Sequence, residues 1–210
     1  MKALIGKTVL VLGMAFAVPA MAGDAEAGKA LSTPCAACHN ADGNSLAPNF
    51  PKLAAQGEKY LLKQLKDIKS GARALPEMTG QLDAFSDKEL EDLAAFFASQ
   101  PPTLAGAKDD EELLALGQKI YMSGNAKAGV PACSGCHSPT GKGNAPASFP
   151  RLSGQHADYI AKQLRDFRAG AEYADKGRHN DGDSKIMRMA VERMSDREIE
   201  AVANYVSGLN

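Results

Sequence analysis

Cys35-Ala36-Ala37-Cys38-His39 and Cys133-Ser134-Gly135-Cys136-His137 hold every cysteine of this 210-residue chain. The two pentapeptides lie 98 residues apart, and what surrounds them repeats in the same order. Phe50-Pro51-Lys52-Leu53 answers to Phe149-Pro150-Arg151-Leu152, 99 residues on. The run Tyr60 to Asp67 answers to Tyr159 to Asp166 at the same offset. Ser86-Asp87-Lys88-Glu89-Leu90 returns as Ser195-Asp196-Arg197-Glu198-Ile199 after 109 residues, so about ten extra residues fall in the second copy, around Ala171 to Asp183. A period near 100 residues is far longer than that of solenoid repeats and signifies two domains of like fold.

Each copy reads as helical. Ser86-x-x-Glu89 and Ser195-x-x-Glu198 are capping boxes, in which Ser and Glu satisfy the orphan amides of a helix start. Leu90, Leu93, Ala94 and Phe97 then recur at helical spacing, and Ile199, Val202, Ala203 and Val206 keep the same phase. A middle helix covers Tyr60–Lys69 in one copy and Tyr159–Arg168 in the other, ended near Gly71 and Gly170. A further helix leads into each cysteine motif, the second over Glu111–Met122. Period-two strand patterns are absent, so the expected fold class is all-α.

The ends and the joint of the repeat are marked as well. Lys2 and Lys7, the apolar run Val9–Val18 and Ala20-Met21-Ala22 form a secretory leader cut after Ala22. The apolar run is shorter than the ~20 residues a membrane span requires. Between the copies lie Pro101-Pro102, Gly106 and the acidic run Asp109–Glu112, without apolar periodicity, and Pro-Pro makes a semi-rigid spacer. The chain thus divides into a leader (1–22), a first domain (23–100), a linker (101–112) and a second domain (113–210).

Cys-x-x-Cys-His has three chemical readings. A redox dithiol belongs at a strand-to-helix junction, and no strand is expected. A zinc site needs two ligand pairs close together, and here they are 98 residues apart. Covalent attachment of haem c uses both thiols for the vinyl groups and carries the adjacent His under the iron. Two copies of the motif behind an export signal favour haem, attached at Cys35 and Cys38 and at Cys133 and Cys136. The composition agrees: there is no Trp, and only 6% of residues are aromatic. A macrocycle at the centre of each small core replaces the missing rings.

The sixth ligand separates electron transfer from catalysis, because an iron with two strong protein ligands has no vacancy for a substrate. With His39 and His137 on one side, Met78 is the only Met or His between His39 and the end of the first domain. The second domain offers Met187, Met189, Met194, His156 and His179. Ser86 follows Met78 by eight residues and Ser195 follows Met187 by eight, which selects Met187. Met194 aligns with Phe85 as a core residue, and Met189 with Gly80. His156 aligns with Gly57 and is expected in a surface loop, and His179 in a polar, solvated insertion. A His/Met pair favours reduced iron and raises its potential.

The duplicated halves, the leader and the motifs Cys-x-x-Cys-His, Ala47-Pro48-Asn49-Phe50-Pro51-Lys52-Leu53, Tyr-x-x-Lys-Gln-Leu and Glu77-Met78-Thr79-Gly80 resemble the two-haem cytochrome c4 family over essentially the whole mature chain. The resemblance implies two class I cytochrome c folds with their haems close together, carrying electrons in the periplasm to a membrane-bound terminal oxidase. A quinol-oxidising complex or a dehydrogenase would be the donor; loose association with the membrane surface stays open. Haem attachment and axial roles fall on Cys35, Cys38, His39 and Met78, then on Cys133, Cys136, His137 and Met187. In such folds a Pro carbonyl accepts the proton of the axial His. Pro48 matches that role in the first half and Pro146 in the second.

The net charge of -1 and the pI near 6.4 exclude an ordinary nucleic-acid binder, and a mean hydropathy of -0.26 describes a soluble globular protein. Charge is unevenly spread: residues 23–100 carry a net −3, the linker −3 and residues 113–210 a net +3. Such a dipole would orient encounters with redox partners. Three function classes follow. The leading one is an electron carrier with no substrate of its own. The second is the cytochrome subunit of a periplasmic dehydrogenase complex. The third, an enzyme such as a small peroxidase, needs an iron without its Met and is disfavoured.

Overall fold

A computed structural model describes residues 23–210; the leader reading over residues 1–22 lies outside them. The first half contains α1 (Ala25–Leu31), the short α2 (Ala36–His39), α3 (Glu58–Lys69) and α4 (Asp87–Ser99). The second contains α5 (Glu111–Ser123), α6 (Ser134–His137), α7 (Ala157–Glu172), α8 (Ile186–Val191) and α9 (Asp196–Ser207). Among the described residues there is no β-strand, only two isolated bridges, Asn125 with Val130 and Asn144 with Phe149. No helix of the described residues is long and apolar enough to cross a membrane.

Local chemistry starts the helices where the sequence predicts. Asp24 accepts the amides of Glu26 and Ala27 at the head of α1, and Asp110 accepts that of Leu113 at the head of α5. Both capping boxes form in full, at Ser86/Glu89 on α4 and at Ser195/Glu198 on α9. The terminal helix of each half is the most deeply buried. It packs against the first helix and the middle helix of its own half.

One glycine in each first helix permits that crossing. A Cβ on Gly28 would lie 2.0 Å from the Asp92 carbonyl oxygen of α4, and one on Gly117 would lie 2.1 Å from that of Ala201 on α9. The backbones touch at both points, which only glycine allows. Leu61, Leu90, Leu93, Phe96 and Phe97 fill the first core, and Ile120, Tyr121, Phe167, Ile199 and Val206 the second.

Two expectations change. The middle helix of the second half does not stop at Gly170 but runs to Glu172. Gly170 is inside the helix because a Cβ there would meet the Arg178 carbonyl at 2.4 Å. The joint, expected as a semi-rigid spacer, is moreover fastened along its length. Pro101 O accepts from Asn44 Nδ2 at 2.9 Å, and the Thr103 amide donates to Asn44 Oδ1 at 2.8 Å. Ala105 N donates to Gly154 O at 3.0 Å and Lys108 N to Asn204 Oδ1 at 2.7 Å. The strap is thereby tied to both halves.

The halves meet through a pseudo-two-fold polar contact. Arg73 donates to Gln64 Oε1 of its own half at 3.0 Å and to Gln163 Oε1 of the other at 2.8 Å. Arg178 mirrors it, reaching Gln163 Oε1 and Gln64 Oε1, each at 2.7 Å. Arg73 also reaches the Tyr159 hydroxyl, and Arg178 that of Tyr60. Burial would push the Tyr60 phenol up, but the Arg178 and Arg73 guanidiniums outweigh it and hold the phenol below its ordinary value. A cavity of about 210 Å³ beside these arginines contains none of the candidate site residues.

Candidate functional site

Each Cys-x-x-Cys-His motif forms a single helical turn. Pro34 opens a 3-10 turn over Thr33–Cys35 that passes directly into α2, and α6 is the matching turn of the second half. Positions i, i+3 and i+4 share one face of a helix, so both thiols and the imidazole of each motif project together. The residue after each His, Asn40 or Ser138, reverses the chain with a positive φ and an extended ψ, a combination that is almost glycine-only. In the second half the buried Tyr121 hydroxyl holds that strained residue, donating to the Ser138 carbonyl at 2.6 Å.

His39 and His137 are buried, and each is oriented by a backbone carbonyl. His39 Nδ1 lies 2.9 Å from Pro51 O and His137 Nδ1 lies 3.0 Å from Pro150 O. A carbonyl only accepts, so Nδ1 carries the proton and Nε2 keeps the lone pair. Burial holds both imidazoles below their ordinary value, against the carbonyl contact, which pushes them up. The neutral, Nε2-directed tautomer is the one an iron needs.

These carbonyls correct the expectation of Pro48 and Pro146. Both of those prolines are exposed, in the turn that precedes the carbonyl used. The residues in place are the Phe-Pro pair of the repeat, whose phenylalanines also flank the imidazoles: the Phe50 and Phe149 ring centroids lie 6.3 and 6.4 Å from those of His39 and His137. The recurrence of the Phe-Pro pair, with its proline 12 or 13 residues after each histidine, is the signal that identifies them.

The four thiols form no disulfide. Cys35 and Cys133 sit against the cores while Cys38 and Cys136 are exposed. Burial raises the Cys35 thiol and pushes that of Cys133 up to about 11, so neither is a thiolate nucleophile at neutral pH.

Met78 packs against the first core alongside Cys35, and Met187 against the second alongside Cys133. They arrive differently. Met78 ends a 3-10 turn that begins at Pro76. Met187 is in α8, entered through Lys185 in a left-handed conformation and anchored by the half-buried pair Arg188 Nε–Asp181 Oδ1 at 2.7 Å. Met194 is buried in the core, as expected, and Met189 is exposed. His179 is engaged at both nitrogens, by Lys176 O at 2.7 Å and by Arg188 Nη1 at 3.0 Å. His156 departs from its expected surface position. Docking of the halves buries it, with Nε2 2.9 Å from Ser45 O of the first half. The ten-residue insertion supplies Arg178 to the interface and Asp181 to the anchor of α8.

Two buried glutamines, absent from the sequence reading, clamp the segments that carry the proline carbonyls. Gln155 Oε1 accepts the Lys52 amide at 2.9 Å while its Nε2 donates to Lys52 O at 2.8 Å. Gln56 does the same to Arg151, at 2.7 Å and 3.0 Å. They are visible in sequence as a repeated Gln four residues after Lys52 and Arg151.

The donor set on each turn fits a covalently attached haem c: two unpaired thiols for the vinyl groups and one imidazole with a free Nε2 on the same face. Comparison with known proteins agrees. The cytochrome c family model matches residues 25–101 and again 114–210. The cytochrome c4 of Azotobacter vinelandii is 52% identical over 212 residues, covering 97% of this chain and 95% of that protein. A thiosulfate dehydrogenase electron acceptor of Stutzerimonas stutzeri is 37% identical over 177 residues, 83% of this chain and 78% of its own. The crystal structure of reduced recombinant cytochrome c4 from Pseudomonas stutzeri superposes with a TM-score of 0.84 at 52% identity, covering 90% of this chain and all of that one.

Proposed function

Since this chain belongs to the cytochrome c family, as a two-haem electron-transfer protein of the cytochrome c4 type with two covalently bound haem c groups, we propose that each half holds its iron between His and Met and carries one electron with no substrate of its own. The axial ligands are His39 and Met78 in the first half and His137 and Met187 in the second; Cys35, Cys38, Cys133 and Cys136 carry the thioether links. Each haem iron, when bound, supplies a reversible one-electron couple. The protein's part is to hold both ligands so that the iron's surroundings change little between oxidation states.

One observation supports this reading above the others: both histidines are buried in the same tautomer by the same kind of carbonyl, with a methionine at the rim of each core. A catalytic iron would instead need a half without a methionine at the rim of its core, since an open sixth position is what admits a substrate. We place the protein in the periplasm, delivered by the leader, with a membrane-bound terminal oxidase as acceptor and a quinol-oxidising complex or dehydrogenase as donor. The relative named as an electron acceptor for thiosulfate dehydrogenase supports a dehydrogenase donor.

The test is a reductive titration of the purified holoprotein. Two haems per chain, two electrons taken up per chain, and no binding of carbon monoxide by the reduced form are expected. Carbon monoxide bound to one haem of the native protein would mean an open iron and would return the enzyme reading.

A further inference from the structure

The peptide unit that orients each histidine is shared between the two halves. Pro51 supplies its carbonyl to His39 Nδ1–H, and the amide of the same peptide group, Lys52 N–H, donates to Gln155 Oε1 of the opposite half. The chain of bonds therefore runs from the imidazole through one peptide plane to a side chain of the other half. The same chain runs the other way: His137 Nδ1–H to Pro150 O, then Arg151 N–H to Gln56 Oε1.

The amides are oriented without ambiguity. Gln155 Oε1 faces two N–H donors, Lys52 and its own neighbour His156 at 3.0 Å, while Nε2 faces the Lys52 carbonyl. Gln56 Oε1 likewise faces the amides of Arg151 and Gly57, the latter at 2.9 Å. Both glutamines are buried, so the bonds form in a low dielectric, where consecutive hydrogen bonds polarise and strengthen one another. A peptide that donates through its N–H becomes a stronger acceptor at its carbonyl. A stronger acceptor draws on Nδ1–H and makes Nε2 more basic, which favours oxidised iron.

We propose that Gln155 and Gln56 are crossed tuning residues, each setting the basicity of the histidine that belongs to the other half's haem. Docking of the halves is then part of the electronic environment of both irons. A loosened interface would raise both potentials. The proposal rests on His39 and His137 being iron ligands, and its test keeps the two questions apart.

The experiment uses the holoprotein and the near-isosteric variants Gln155→Met and Gln56→Met. The readouts are the potential of each haem and the Nδ1 proton resonance of each histidine in the reduced, diamagnetic state. Gln155→Met is expected to weaken the His39 Nδ1–H bond, move its resonance upfield and raise the potential of the haem at Cys35 and Cys38. The reduced-to-oxidised ratio at fixed potential should change roughly threefold, a fraction of the effect of losing a ligand's direct partner. The haem at Cys133 and Cys136 should stay where it was. Gln56→Met should give the mirror result.

Gln155→Glu keeps an acceptor for Lys52 N–H and should hold the His39 resonance at or beyond its native position, so a variant that merely loosens the fold is recognised. Equal shifts at both haems, shifts at the wrong haem, or unmoved histidine resonances in folded variants would overturn the proposal. Absence of the large paramagnetic shifts of iron-bound imidazole for His39 and His137 in the oxidised native protein would instead overturn the ligand assignment.

Discussion

In the first half, Met78 closes a three-residue turn entered through Pro76 and is held by local backbone bonds to Leu75 and Gln81 and by the core beneath it. In the second, Met187 stands in a six-residue helix pinned by the Asp181–Arg188 pair, and a buried tyrosine fastens the far side of the site. On the histidine side the halves are near copies: the same turn, the same strained residue after it, the same Phe-Pro carbonyl and the same glutamine from across the interface. The duplicated parts are those that define the ligand's chemistry, and the parts that diverged are those that hold a loop in place. Similar irons are therefore expected on scaffolds of unequal firmness, with the second half resting on the larger buried cluster.

Asp181→Ala should separate the two halves most. The Asp181 carboxylate accepts from Arg188 Nε at 2.7 Å and from the Arg188 amide at 3.0 Å, and losing two such bonds to a charged group costs about 3 kcal/mol. Thermal unfolding followed at each haem should show the second half losing its Met187 signature first while the first half is unmoved. Gly28→Ala and Gly117→Ala come next. Each drives a methyl into a backbone carbonyl and should destabilise its own half by about 2–3 kcal/mol, equally in the two cases, as denaturant midpoints would report. A large inequality would mean the helix crossings are not equivalent.

Tyr121→Phe is smaller. It removes the hydroxyl that holds Ser138 O and should cost about 1.5 kcal/mol in the second half alone, read from the same denaturant curves. The smallest effect is the pH dependence of docking. Burial holds the His156 imidazole below its ordinary value, with Lys52 pushing the same way and the Ser45 carbonyl and Asp158 opposing. A group whose folded value is lowered takes up protons on unfolding, so its contribution is complete above about pH 6.5 and is lost as pH falls from there toward the lowered value. His156→Gln, which can still donate to Ser45 O, should flatten this dependence below about pH 6.5 without touching the first half's core.

Much of this is legible from the repeat. The capping boxes, the helix faces and the haem motifs follow from residue spacing, because local periodicity and a twofold internal alignment constrain them; the selection of Met187 over Met189 and Met194 rests on the same spacing and belongs to the proposed iron ligation. The misreadings share one cause. The family resemblance points to Pro48, although the carbonyl that reaches Nδ1 depends on how the loop folds back, and the repeated Phe-Pro pair marks it better. His156 aligns with a glycine and reads as a surface residue, yet the contact that buries it comes from the other half. Gln56 and Gln155 recur in the repeat, but what they bond to stays hidden for the same reason, since a partner across a docked interface is not encoded in local periodicity.

The central claim, two His/Met irons in one electron carrier, is tested most directly by the optical spectrum of the oxidised holoprotein. Its weak red charge-transfer band, from methionine sulfur to ferric iron, is measured per haem in the native protein and in Met78→Gly and Met187→Gly. A full band for each of two haems is expected, with each substitution removing half. A native band worth one haem, or a band that survives undiminished the loss of Met187, would contradict it.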